Sequence, residues 1–269
     1  MREPEVIHSD EQIRVSLMRS GKARTGRTLL SFTGVGHALN GIDVQKPEFF
    51  KAGQGYDQMF FISDLNRSWG NALDFDALAD VLAPYIGDQS VDTLGNSMGG
   101  FLSLLAPAFF DVRRATAIVP QISVHPDIVP WETRWSDYRG AIRDWQFPSV
   151  AQHLVDRTDY AVVVGDDALD LRHVALLPQR KNLTVLSVPD GGHNVAARLK
   201  ELGLLDDFVR HVMDGDDLEH WFNDDFLPAL KINAAAASAA VRDPIQLSWP
   251  ARVKSSLKSK VQKWKSLKN

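Results

Sequence analysis

The sequence predicts an α/β fold in which a mostly parallel sheet is flanked by helices, and three observations carry that expectation. Short apolar runs recur along the chain, as in strands buried on both faces. Stretches of helical period lie between them, and strand–helix–strand units of this kind cross over right-handed into a parallel sheet. The glycines and polar residues gather where the apolar runs end, which is where such sheets build their sites.

Taken in order, residues 29–32 lead into a glycine-rich turn, and residues 59–62 end at Ser63-Asp64. Residues 91–94 end at Gly95, 115–119 at Pro120 and 160–164 at Gly165, and 183–188 form the last run. Leu73, Ala77, Leu78, Val81, Leu82 and Tyr85 repeat at helical spacing between Asn71 and Gly87, and residues 98–110 and 195–212 also read as helices. Residues 121–150 break the alternation. They show no period but concentrate Pro126, Pro130, Trp131, Arg134, Trp135, Arg143 and Trp145, and we read them as a short inserted lid, the alternative being an ordinary long loop with a short helix. The Trp and Arg residues suit either a substrate with an apolar or sugar ring and an anionic group, or packing alone.

A chain of 269 residues with 44% apolar and 24% charged residues has the make-up of a soluble globular protein, which argues against disordered and fibrous classes. The absence of cysteine excludes disulfides, thiolate metal sites and a cysteine nucleophile. Residues 1–5 lack the apolar run of a signal peptide and no apolar stretch reaches membrane-spanning length, so the expected location is cytoplasmic. The net charge of -4 is uneven, because residues 251–269 carry seven basic residues and no acid.

Gly95-Asn96-Ser97-Met98-Gly99 matches G-x-S-x-G between a strand-like and a helix-like run. In such a turn the serine takes a strained backbone and glycines two residues on either side avoid a clash, so Ser97 is the expected nucleophile. The Met98 N–H at the helix start points toward a developing oxyanion. Serine needs a base, and the base needs a carboxylate to fix its tautomer. His193 follows the last strand-like run in a Gly191-Gly192 loop and is the expected base. Residues 166–170 offer three acids. We choose Asp167, with Asp166 a candidate to cap the turn and Asp170 to cap the following helix.

The order of elbow, acid and base resembles the α/β-hydrolase superfamily over roughly residues 10–215. The resemblance implies an eight-stranded sheet, a lid after the sixth strand and a second oxyanion N–H from the loop after the third strand. That loop reads Thr33-Gly34-Val35-Gly36-His37 without the His-Gly order common in the family, and the second donor is assigned to the Gly34–Val35 backbone. The implied function is a serine esterase acting through an acyl-serine intermediate without metal or organic cofactor. The alternatives are an acyltransferase acting on a glycan or lipid, and a non-catalytic binding protein.

The hydrolase domain is expected over residues 1–232, an Ala- and Pro-containing linker over 233–250, and a basic amphipathic tail over 251–269. Val253, Leu257, Val261, Trp264 and Leu267 form a helical stripe among lysines, which reads first as a solvated or self-packed helical tail docked on the acidic body and second as a helix suited to an anionic membrane's inner face or an acidic partner. Nucleic acid is not expected as a partner, because the only basic patch is this short tail.

Overall fold

The computed structural model describes residues 3–20, 25–39, 42–188, 190–216 and 230–231. The strands are β1 (Glu5–Ser9), β2 (Ile13–Arg19), β3 (Arg27–Phe32), β4 (His37–Leu39), β5 (Ile42–Val44), β6 (Gln58–Asp64), β7 (Ser90–Asn96), β8 (Val112–Ile118), β9 (Asp159–Val164), β10 (Leu183–Ser187) and β11 (Leu230–Lys231). The helices are α1 (Phe75–Ile86), α2 (Met98–Leu105), α3 (Ser136–Ala141), α4 (Ala168–Val174), α5 (Val195–Glu201) and α6 (Leu205–Asp214).

The main sheet runs β1-β2-β6-β3-β7-β8-β9-β10-β11, and β4 and β5 form a separate hairpin. From β6 to β10 all neighbours are parallel, whereas β1, β2 and β11 pair antiparallel at the edges. Eight strands therefore make the sheet that the family resemblance implied, and β11 adds two residues to its edge. The linker and the tail expected beyond residue 232 lie outside the described residues, so the charge and stripe of residues 251–269 receive no structural account.

Successive residues of the central strands feed opposite layers. Leu30, Phe60 and Val162 join one core with Leu78 and Leu82 of α1 and Leu102 of α2, while Leu29, Phe61 and Val163 join the other with Leu199 of α5 and Phe208 of α6. The period of two thus explains why the strands read as continuous apolar runs.

Helix α1 starts at Asp74, whose side chain accepts from the Ala77 N–H, and stops at Gly87 with φ +53°. The expected start beside Asn71 is displaced because residues 66–71 form a structured loop of their own. The single helix expected over 195–212 is two, since Gly203 at φ +72° turns the chain between α5 and α6 while the apolar stripe continues. The helix expected over 98–110 ends at Leu105 and passes into a 3-10 turn around Pro107.

The N-terminal ends of the central strands are tied to α6 by one buried carboxylate. Asp92 accepts from Arg113 at 2.7 Å and from Arg27 and Tyr56 at 2.9 Å each, and Arg27 reaches on to Asp214 while Arg113 reaches the Met213 carbonyl. Removing one partner of such a cluster leaves charge without compensation, and Arg27 and Arg113 keep some access to water. Asp92→Ala is expected to cost roughly 3 kcal/mol, and to lower the melting midpoint by roughly 6–12 °C. A calorimetric change equivalent to less than about 1 kcal/mol would contradict this account.

Candidate active site

The turn between β7 and α2 is set by contacts that no side chain could occupy. A Cβ on Gly95 would lie 2.0 Å from the Gly99 carbonyl oxygen, and one on Gly99 would lie 2.1 Å from that of Phe32. Between them Ser97 sits at φ +56°, a left-handed conformation costly for a residue with a side chain. Its amide donates to the Ile118 carbonyl, and only 7% of the residue is exposed. Met98 opens α2, so its N–H belongs to the helical turn that lacks intrahelical acceptors.

The loop expected to supply the second oxyanion donor lies against this turn. A Cβ on Gly34 would meet the Asn96 carbonyl at 3.2 Å and Glu48 Oε1 at 3.9 Å. The Gly34 carbonyl accepts from Gln45 Nε2 and the Val35 carbonyl from Arg67 Nε, which fixes the loop's path.

A third glycine contact joins the acid-bearing and base-bearing loops. A Cβ on Gly165, after β9, would fall 2.1 Å from the Gly192 carbonyl oxygen, and Asp166 accepts from the Gly192 N–H. His193 follows directly, and its Nδ1 lies 2.8 Å from Oδ2 of the fully buried Asp170.

The structure carries Asp170, and not the sequence-based choice Asp167, to His193. Asp167 is the N-cap of α4, where its Oδ1 accepts from the Leu169 and Asp170 amides, while Asp170, one turn on, faces the imidazole. A carboxylate that ends a helix has its lone pairs engaged by the orphan amides of the first turn. The side chain three residues later is the one carried to the base.

Ser97 and His193 are not hydrogen-bonded to each other. The Ser97 hydroxyl donates to Gln121 Oε1 at 3.2 Å, and the same oxygen accepts from Trp69 Nε1 at 3.2 Å. Trp69 packs on Trp135 with ring centroids 6.2 Å apart, and Trp135 lies 6.1 Å from the His193 ring. Asp64 delivers Trp69 by accepting from the Ser68 and Gly70 amides and the Ser68 hydroxyl, in a loop where Arg67 and Trp69 both take positive φ. Burial pushes the Asp64 carboxyl up despite these donors.

Gln121, Trp69 and Asp64 did not emerge from the sequence as site residues. Gln121 directly follows the strand end at Pro120, the kind of position that could have flagged it.

The connection between β8 and β9 adds charge beside the base. Arg134 donates to Glu132 and to Asp170, and His173 Nε2 lies 2.9 Å from Glu132 Oε2. Burial alone would raise the Glu132 carboxyl, but hydrogen bonds from His173 and Arg134 outweigh it and hold the group down at about 2. Burial keeps His173 below the usual histidine range in spite of that partner, so it is a neutral donor. Arg134 is thus engaged within the protein. Arg143 instead lines a cavity of about 410 Å³ with Gln12, Asn66, Asn71 and Gln146. Among the described residues no group of three or more acids and histidines is disposed to hold a metal, and no helix is long and apolar enough to cross a membrane.

Glu48, beside Gly34, has Oε2 buried without a hydrogen-bond partner, and burial pushes its carboxyl up from 4.5 to about 7. Between those values the folded protein holds a proton that the unfolded chain has released, so stability falls as pH rises through this window. Glu48→Gln is expected to remove that slope and to stabilise the protein at pH 8 by on the order of 3 kcal/mol. Equal slopes for both proteins in urea titrations at pH 5 and pH 8 would contradict the burial of this charge.

No protein-family model matches the chain, and no curated protein matches its sequence. Solved structures do share its fold. The capsule O-acetyltransferase of Neisseria meningitidis serogroup A is 12% identical with a TM-score of 0.54, over 77% of this chain and 93% of that one. Est1E from Butyrivibrio proteoclasticus is 14% identical with a TM-score of 0.54, over 79% and 98%. An alpha-beta serine hydrolase homologue from Coxiella burnetii is 14% identical with a TM-score of 0.51, over 78% and 97%. Strand order, the serine turn after β7 and these likenesses agree that the chain has the α/β-hydrolase fold.

Proposed function

We propose that the protein is a serine hydrolase that cleaves an ester or related acyl bond through a covalent Ser97 intermediate. The observation that carries this reading is the positive φ of Ser97 on a strand-to-helix turn closed by Gly95 and Gly99, together with a histidine, in a loop at the same end of the sheet, that is bonded to a buried carboxylate. Strain of this kind persists only where the surroundings over-determine it, and here it lifts one hydroxyl to the carboxyl end of a parallel sheet.

In the proposed reaction the Ser97 hydroxyl leaves Gln121 and donates to His193 Nε2 as its oxygen attacks the acyl carbon. The Met98 N–H and the Gly34–Val35 backbone are assigned to the oxyanion. Asp170 holds the Nδ1–H and stabilises the imidazolium, which returns its proton to the leaving group; water then repeats the cycle on the acyl-serine. Neither a metal nor an organic cofactor enters these steps.

The capsule O-acetyltransferase among the structural neighbours favours a second reading, in which an alcohol replaces water as acceptor. Product analysis of acyl-enzyme turnover with and without an alcohol separates the two.

The primary test is labelling by a fluorophosphonate with peptide mapping. Wild-type protein is expected to be labelled at Ser97, and Ser97→Ala to be silent. Asp170→Asn is expected to lose about 10⁴-fold in ester turnover, because the amide selects the wrong tautomer. Asp167→Asn retains a good helix cap and is expected to stay within about threefold of wild type. The opposite ranking of the two variants would return Asp167 to the role of acid, and a folded but unlabelled wild type would overturn the proposed chemistry.

A further inference from the structure

Arg134 stands 2.9 Å from Asp170 Oδ1 and 3.2 Å from His193 Nδ1 through the same Nη1. Asp170 therefore has both oxygens engaged, Oδ2 by the imidazole and Oδ1 by the guanidinium. The other face of Arg134 is a fork on Glu132, with Nε 3.1 Å from each carboxylate oxygen and Nη2 at 2.6 Å from Oε2. Glu132 in turn is held by His173, which lies on α4 three residues after Asp170. The contacts close a ring that leaves α4 at Asp170, crosses Arg134 and Glu132, and returns to α4 at His173. A planar guanidinium held on both sides fixes a carboxylate in angle as well as in place.

We propose that Arg134 is a positioning residue for the Asp170–His193 pair and that, through it, the connection between β8 and β9 sets the orientation and charge of the base. The proposal rests on the serine-hydrolase reading. Arg134 occupies a position that the hydrolytic steps themselves do not use, and His193 must keep Nε2 aimed at the nucleophile while its ring gains and loses a proton. The charged groups about Arg134 and His193 are Asp170, which meets both, and Asp167 and Glu132, which meet Arg134; Asp167 stands 3.5 Å from it. His173 is the neutral member, and the Trp135 ring covers another side. Arg134 Nη1 puts a positive charge 3.2 Å from the ring, opposed to a second one there. Without it, the ring takes up a proton more readily and activity on the acid side is lost.

The experiment compares full-length wild type, Arg134→Lys, Arg134→Gln and the charge-balanced pair Arg134→Gln with Glu132→Gln, using p-nitrophenyl acetate and a fluorophosphonate between pH 5 and pH 9. Thermal melting reports folding, and the double variant tests the proposal if the single variant melts early. Arg134→Gln is expected to lower kcat about tenfold or more at pH 8 with little change in KM. Its ratio of labelling rates at pH 6 to pH 8 is expected to fall by about a further tenfold relative to wild type. Arg134→Lys keeps the charge and is expected to keep the wild-type pH dependence while losing part of kcat. A folded glutamine variant with the wild-type pH dependence and kcat overturns the proposal, as does a lysine variant whose pH dependence moves together with that of glutamine. A wild type silent to both probes instead overturns the underlying serine chemistry, and the positioning role with it.

Discussion

Two places where backbone touches backbone govern the proposed active site. At one, Gly95 and Gly99 let the strand-to-helix turn press against the end of β3; at the other, Gly165 lets the loop after β9 press against Gly192. Each approach is near 2 Å from where a Cβ would sit, far inside any tolerable contact. The first places Ser97 beside the Gly34 loop. The second places Asp170 beside His193. Both lie at the carboxyl ends of parallel strands, so the sheet that buries the core also brings four separate stretches of chain to one end of the molecule.

Around these crossings the protein uses carboxylates to shape loops. Asp64 folds residues 66–71 so that Trp69 lies over Gln121, Asp167 starts α4, and Asp166 holds the Gly192 amide. Asp170 and Glu132 are both fully buried, and both are answered by Arg134. Buried charge is costly unless it is paired, so this cluster holds one arrangement well and alternatives poorly.

Much of this was legible in the sequence because it is local. The elbow needs two glycines at fixed spacing around a serine between a strand and a helix, and those features lie within a few adjacent residues. His193 was legible for a related reason, as a polar residue after glycines at a strand end. The choice between Asp167 and Asp170 was not, because it turns on which carboxylate the α4 amides capture, and both readings begin with the same residue types. The break at Gly203 was hidden by an apolar stripe that continues from α5 into α6. Gln121 and Glu48 depend on partners 24 and 14 residues away in sequence, so neither belongs to a short motif that could announce it.

The hydrogen bond from Ser97 to Gln121 bears on how the molecule waits between encounters. A hydroxyl directed at an amide oxygen is satisfied without the imidazole. In the proposed reaction the hydroxyl gives up this acceptor for the imidazole, so Gln121 competes with His193 for the Ser97 proton. The glycine crossings thus fix the backbone that carries Ser97, and the Gln121 amide fixes where its hydroxyl points.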